Sequence, residues 1–141
     1  MAAPRVSYLV GRLDRLLHRR LADALAGHRL SLPEYTALSV LAARTGLSNA
    51  QLARRSLITP QAANEVLTRL EARRLVRRTA DPGHRRVRPA ELTPAGRKLL
   101  AKADQAVDAV EREMLAGTPA AERRAFRDSL ASAVRALGDT T

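Results

Sequence analysis

Ser48-Asn49-Ala50-Gln51-Leu52-Ala53-Arg54-Arg55-Ser56-Leu57-Ile58-Thr59-Pro60-Gln61-Ala62-Ala63-Asn64-Glu65-Val66-Leu67-Thr68-Arg69-Leu70 holds two helix starts in one short run. In the first, Ser48 is followed three residues later by Gln51. This is the pattern in which a hydroxyl and an amide each satisfy a backbone N–H at a helix entry. It opens a short helix that can bury Leu52. Residues Ser56 to Thr59 then turn the chain. Thr59-Pro60 starts the second helix, with a hydroxyl at the N-cap and proline where a missing N–H costs nothing. Ala63, Val66, Leu67 and Leu70 recur at helical spacing and form an apolar stripe. The opposite face at the helix start carries Gln61, Asn64 and Glu65 beside Ala62, so it points polar groups outward.

Outward from this pair, Ser31-Leu32-Pro33-Glu34 repeats the capping pattern and opens a helix with Tyr35, Leu38, Leu41 and Ala42 inward, ended by Gly46. Before it, Val6, Leu9, Val10, Leu13, Leu17, Leu21 and Leu25 mark one long helix that Gly27 ends, with Arg12, Arg15, Arg19 and Arg20 on its other faces. After the central pair, Val76 to Thr79 and Arg86 to Leu92 read as two strands joined by Asp81-Pro82-Gly83-His84. Pro89 lacks a ladder donor and belongs at an edge or a bulge. Thr93-Pro94 opens a long helix through Leu99, Ala103, Ala106, Val107, Val110 and Met114, stopped at Gly117. Thr118-Pro119 opens a last helix with Phe126, Leu130, Val134 and Leu137 on one side and Gly138 at its end.

Composition narrows the functions open to this pattern. Tyr8, Tyr35 and Phe126 are the only aromatics, which suits helix-on-helix packing and disfavours a base-stacking platform. Cysteine is absent, so disulfides and thiol sensing are excluded. His18, His28 and His84 form no metal-ligand pair, and no metal or cofactor is expected. No stretch approaches the roughly 20 apolar residues of a membrane span. With no secretory signal apparent, the expectation is a cytoplasmic protein. The net charge is +11, and residues 47–98 carry twelve basic side chains against four acidic ones. The basic residues there are nearly all arginine, whose planar fork suits phosphates and guanine edges.

Short helix, turn, second helix with a polar N-terminus, then a basic hairpin is the order of a winged helix-turn-helix. The expected fold is therefore mainly α with a small β-hairpin wing. Residues 1–141 form a single domain with a DNA-binding lobe over 32–98. Dimerisation helices cover 5–30 and 99–138, with Leu9, Leu13, Phe126, Leu130 and Leu137 toward a partner. The first turn of the second helix would face base edges in a major groove, where Asn and Gln pair bidentately with adenine and Glu accepts from cytosine. Arg69 and Arg73 further along, Ser48, and Arg54 and Arg55 on the preceding helix suit the phosphate backbone. Arg85, Arg86 and Arg88 of the hairpin suit an adjacent minor groove.

Leu32-Pro33-Glu34-Tyr35, Ser48 to Leu52, Thr59 to Leu70, Leu75-Val76, Asp81-Pro82, Arg85-Arg86 and Leu92-Thr93-Pro94-Ala95-Gly96 together resemble the MarR family of multiple antibiotic resistance regulators. The likeness spans nearly the whole chain. It implies a homodimeric transcription regulator on a pseudo-palindromic double-stranded DNA site, with repressor as the leading reading and activator left open. It also implies release by a small aromatic or phenolic effector, with Arg12 and Tyr35 as pocket candidates. By position, Pro60, Gln61, Ala62, Asn64, Glu65 and Arg69 fall on the recognition helix, and His84-Arg85-Arg86 on the wing motif. Three residues depart from the pattern. His84 replaces the acidic partner of the wing arginine, Glu65 replaces a basic or neutral polar residue, and Arg74 replaces the glycine that ends the recognition helix. The rival readings are a ligand-binding adaptor of the same fold without DNA binding, an RNA-binding protein, and an enzyme. No Ser/His/Asp or Cys/His set, Gly-rich phosphate loop or paired-carboxylate pocket supports the last.

Overall fold

A computed structural model describes residues 2–79 and 89–138. Among them the order is α1 (Val6–Ala26), α2 (Leu32–Ala43), α3 (Asn49–Ser56), α4 (Pro60–Ala72), β1 (Val76–Arg78), β2 (Ala90–Leu92), α5 (Pro94–Met114) and α6 (Ala120–Ala136). The expected caps close four of these helices. Ser31 Oγ accepts from the Glu34 N–H while the Ser31 N–H donates to Glu34 Oε1. Ser48 and Gln51 do the same at α3. Thr59 Oγ1 accepts from the Ala62 N–H and Thr93 Oγ1 from the Gly96 N–H. The last helix departs from the expectation: Pro119 is its N-cap and no side chain caps it. The Thr118 carbonyl instead accepts from Arg123 Nε.

The core is aliphatic and lies where α2, α3, α4 and the strands meet. Leu38, Leu41, Leu52, Leu67, Leu70 and Val76 are all but sealed from solvent, and Leu25 and Leu100 bring α1 and α5 onto them. The α4 stripe Ala63, Val66, Leu67 and Leu70 is wholly buried, as its spacing requires. In α2 the inward face is shifted. Ala42 is exposed, and Glu34 and Ala37 are buried with Leu38 and Leu41. Glu34 is satisfied in that position by two contacts, since its carboxylate both closes the capping box and faces Arg73.

The strands pair antiparallel, Val76 with Leu92, Arg77 with Glu91 and Arg78 with Ala90. Pro89 precedes the ladder, and its carbonyl accepts from the Thr79 N–H, the one role a proline backbone retains there. The second strand thus begins at Ala90, and the Arg86 to Arg88 part of the expected strand lies outside the described residues. Ala90 also bridges to Leu47: its N–H donates to the Leu47 carbonyl, and its carbonyl accepts from the Gly46 N–H. The loop before α3 is therefore stitched to the base of the hairpin.

Three helices end in a left-handed residue that is not glycine. Arg29, Leu57 and Arg74 have φ of 55°, 55° and 58°. Each sits in the same pair of hydrogen bonds. For Arg74, its own N–H reaches the Glu71 carbonyl and the next N–H, of Leu75, reaches Leu70. Arg29 and Leu57 repeat this with Ala26 and Leu25, and with Arg54 and Ala53. This is the helix-closing motif that glycine usually fills. The strain expected at Arg74 is present, and two further positions share it.

Candidate nucleic-acid interface

The buried stripe of α4 decides what the helix shows to solvent. At about 100° per residue, sinking Ala63, Val66, Leu67 and Leu70 turns Gln61, Glu65 and Thr68 directly outward. Asn64 and Arg69 flank them. All five are exposed, as is Pro60 at the first helical position, and Ala62 is half-buried. Arg54 is exposed and Arg55 half-buried in the last turn of α3, where cations complement the helix dipole. Ser48 Oγ is occupied as an acceptor at the α3 cap, which leaves its proton to donate. These residues surround one helix start and one helix end, joined by the three-residue turn Leu57 to Thr59.

Two assignments made from sequence change on contact with the structure. Arg73 does not join the exposed face. Its Nη1 donates to the Arg29 carbonyl at 2.6 Å and lies 3.6 Å from Glu34 Oε2, so it fastens α4 to the α1–α2 junction. Asn64 does belong to the face, but its Oδ1 already accepts two hydrogen bonds, from Asn49 Nδ2 (3.0 Å) and Arg78 Nη1 (2.8 Å). The two-pronged adenine contact needs that oxygen, so it is closed to Asn64 in this arrangement. His84, Arg85, Arg86 and Arg88 lie outside the described residues.

Arg78 is the residue at this face whose contacts sequence reasoning passed over. It was one of many arginines in a basic hairpin, yet its side chain is only 8% exposed. Besides Asn64, its Nη2 donates to Thr68 Oγ1 at 3.0 Å, and its Nε lies 3.5 Å from Glu71 Oε2. Asn64, Thr68 and Glu71 run down one edge of α4, so this single guanidinium welds the first wing strand along the helix. Next to it, Arg77 pairs with Glu91 across the strands.

The return from wing to helix explains the Leu-Thr-x-x-Gly run. Thr93 Oγ1 donates to the Arg74 carbonyl, and the Thr93 N–H to the Leu75 carbonyl. Gly96 packs directly on that strand entry: an added Cβ would lie 2.1 Å from the Leu75 carbonyl oxygen. Only glycine lets α5 start this close to the end of α4.

On the far side of the lobe, the Tyr35 hydroxyl donates to Asp104 Oδ1 at 2.6 Å, tying α2 to α5. Burial, and then this bond to a carboxylate, push the Tyr35 phenol up to about 12. A cleft of about 230 Å³ opens between α1 and α5, lined by Leu13, Leu16, Leu17, Val110 and Met114 with the Arg20–Glu113 ion pair at its rim. Neither Tyr35 nor the exposed Arg12 lines it.

The model of the MarR family matches residues 29–87. The HTH-type transcriptional repressor Rv2887 of Mycobacterium tuberculosis is 38% identical over 125 residues, covering 89% of this chain and 90% of that one. The chain belongs to the MarR family. Rv2887 solved in complex with DNA superposes with a TM-score of 0.79 at 37% identity, covering 97% of this chain and 99% of the other. Rv2887 solved with salicylic acid gives 0.75 at 38% identity, covering 93% and 96%. This MarR-family chain is accordingly a transcription regulator with the winged helix-turn-helix fold expected from its sequence. No described helix is long and apolar enough to cross a membrane.

Proposed function

We propose that two copies of the chain grip a pseudo-palindromic duplex, repress transcription from it in the cytoplasm, and let go when a small aromatic carboxylate or phenol binds. One observation carries the reading: α4 buries its whole apolar stripe and leaves Gln61, Glu65 and Arg69 facing out from a capped helix start. Such a helix fits a major groove. The solved complex of the 38%-identical Rv2887 with DNA supports the same use of the fold.

Pairing of two copies is supported by α6, which buries none of its residues within the chain. Leu130, Val134 and Leu137 stand open there, and Val6, Leu9 and Val10 on α1. An apolar surface of that extent calls for a partner. Two lobes would then meet successive major grooves about 34 Å apart. The salicylic acid complex of Rv2887 supports the effector class. The α1–α5 cleft suits such a ligand, with its ring against Leu13, Leu17, Val110 and Met114 and its carboxylate drawn to Arg20. A ligand there shifts the dimer only by binding its two spacings unequally.

The test is fluorescence anisotropy on duplexes selected from random sequence, with and without salicylate. Tight binding, weakened by salicylate and by Arg86→Ala at about 1–3 kcal/mol, is expected. Failure to bind any duplex in dilute buffer, where ionic attraction is strongest, overturns the reading. Loss of the salicylate response in Arg20→Ala but not in Arg12→Ala is the outcome expected for the cleft.

A further inference from the structure

Arg78 does more than brace the wing. A guanidinium can only donate hydrogen bonds. With Arg78 Nη1 at 2.8 Å, the atom of Asn64 facing it must be the oxygen, so the amide has one orientation. Asn49 then has to offer its Nδ2 to the same oxygen, at 3.0 Å. The cost appears on Asn49: its Oδ1 is buried with no hydrogen-bond partner. That stranded acceptor is hard to explain unless the Asn64 orientation is fixed from elsewhere. Both lone pairs of Asn64 Oδ1 are consumed, and only its Nδ2 donors remain for a ligand on the exposed face.

We infer that Arg78 is a specificity-determining residue that makes Asn64 a donor-only reader of base edges. This rests on the reading of α4 as the helix that enters the groove. Adenine offers an acceptor at N7 beside a donor at N6, so it suits an amide that presents both atoms. A donor-only amide is matched by bases that present acceptors without a neighbouring donor, guanine through O6 and N7 or thymine through O4, whereas adenine N7 can take one such bond only with the N6 donor set against the amide's second N–H. The operator position under Asn64 is therefore a keto base, and the wing strand sets that choice without touching the base.

The experiment is selection from randomised duplex DNA with the full chain and its variants, with folding followed by circular dichroism. Asn64→Ala identifies the position, one per half-site, at which preference disappears. Wild type should favour G or T over A there by about ten-fold, the weight of one well-made base contact. Arg78→Met keeps the buried stem but removes the donors. It should admit adenine at that position alone, leaving the other positions as they were. Arg78→Lys restores a donor and should keep the keto preference, which a merely structural role would not require. Wild-type preference for adenine at that position overturns the inference, as does an Asn64→Ala profile identical to wild type. Should Arg78→Met not fold, the wild-type and Asn64→Ala profiles decide the matter between them. A selection that enriches no duplex sinks the DNA-binding reading itself, whereas enrichment with adenine under Asn64 sinks only this inference.

Discussion

Replacing Arg74 by glycine should make the protein more stable, although it deletes a large side chain. Arg74 holds φ of 58°, where a Cβ crowds the neighbouring carbonyl at a cost of roughly 1–2 kcal/mol. Among the described residues its guanidinium has no hydrogen-bond or ion-pair partner, so little is lost with the side chain. Its backbone carbonyl, which accepts from Thr93 Oγ1, is untouched by the change. Against the relief stands the greater freedom of glycine in the unfolded chain, about 0.4–1 kcal/mol. The balance is a gain of about 0.5–1 kcal/mol, or a rise in Tm of roughly 2–4 °C for a chain of this size. Thermal unfolding at fixed protein concentration measures it, since an oligomer's Tm depends on concentration. Arg74→Ala is the decisive control: it removes the same side chain but keeps the Cβ. If glycine is no more stable than alanine, left-handed strain is not the source, and the reasoning fails. The same substitution at Arg29 and Leu57, on separate helix ends, should add nearly independently.

Gly96→Ala should cost about 1–3 kcal/mol in chemical denaturation, because its new Cβ meets a backbone oxygen rather than a yielding side chain. Arg73→Ala should lower stability by about 1 kcal/mol and leave the salt dependence of DNA binding unchanged; a shallower salt slope would return Arg73 to the phosphates. Glu65→Gln removes the carboxylate from the outward face of α4, so it should tighten nonspecific duplex binding several-fold at low salt in anisotropy titrations. Tyr35→Phe removes the bond to Asp104 and should cost about 1 kcal/mol at neutral pH. The folded phenol titrates near 12, above its ordinary 10.0, so this contribution is complete below pH 10 and fades as pH rises toward 12. A gap between wild type and Tyr35→Phe that closes already at neutral pH would contradict it.

What the sequence disclosed was local. Ser31, Ser48, Thr59 and Thr93 each announce a helix start within four residues, and each makes the expected cap. The α4 stripe is equally plain, because burial on one face leaves a period of 3.6. The left-handed Arg74 was legible as a missing glycine, whereas Arg29 and Leu57, in the same motif, carried no such cue. Contacts between distant segments left no trace in any window. Arg73 and Arg78 look alike on paper, yet one is spent on Arg29 and Glu34 and the other on Asn64, Thr68 and Glu71. A count of charges treats both as available cations. The signal that could have flagged Arg78 is its place on the same strand face as buried Val76, in a three-residue strand opposite a small alanine. Thr118 misled in the other direction, since a Thr-Pro pair marks a helix start without guaranteeing that the hydroxyl turns back to cap it.

The bridge from Ala90 to Leu47 has a mechanical consequence. One alanine, wholly enclosed, is laced on one edge to Arg78 and on the other to the segment that leads into α3. The entry to α3 and the root of the hairpin are thereby tied to one another through main-chain hydrogen bonds. In the proposed dimer, an adjustment of reach along a duplex would then be made by carrying whole lobes nearer or farther on their helical stalks, which is where a releasing signal would apply its leverage.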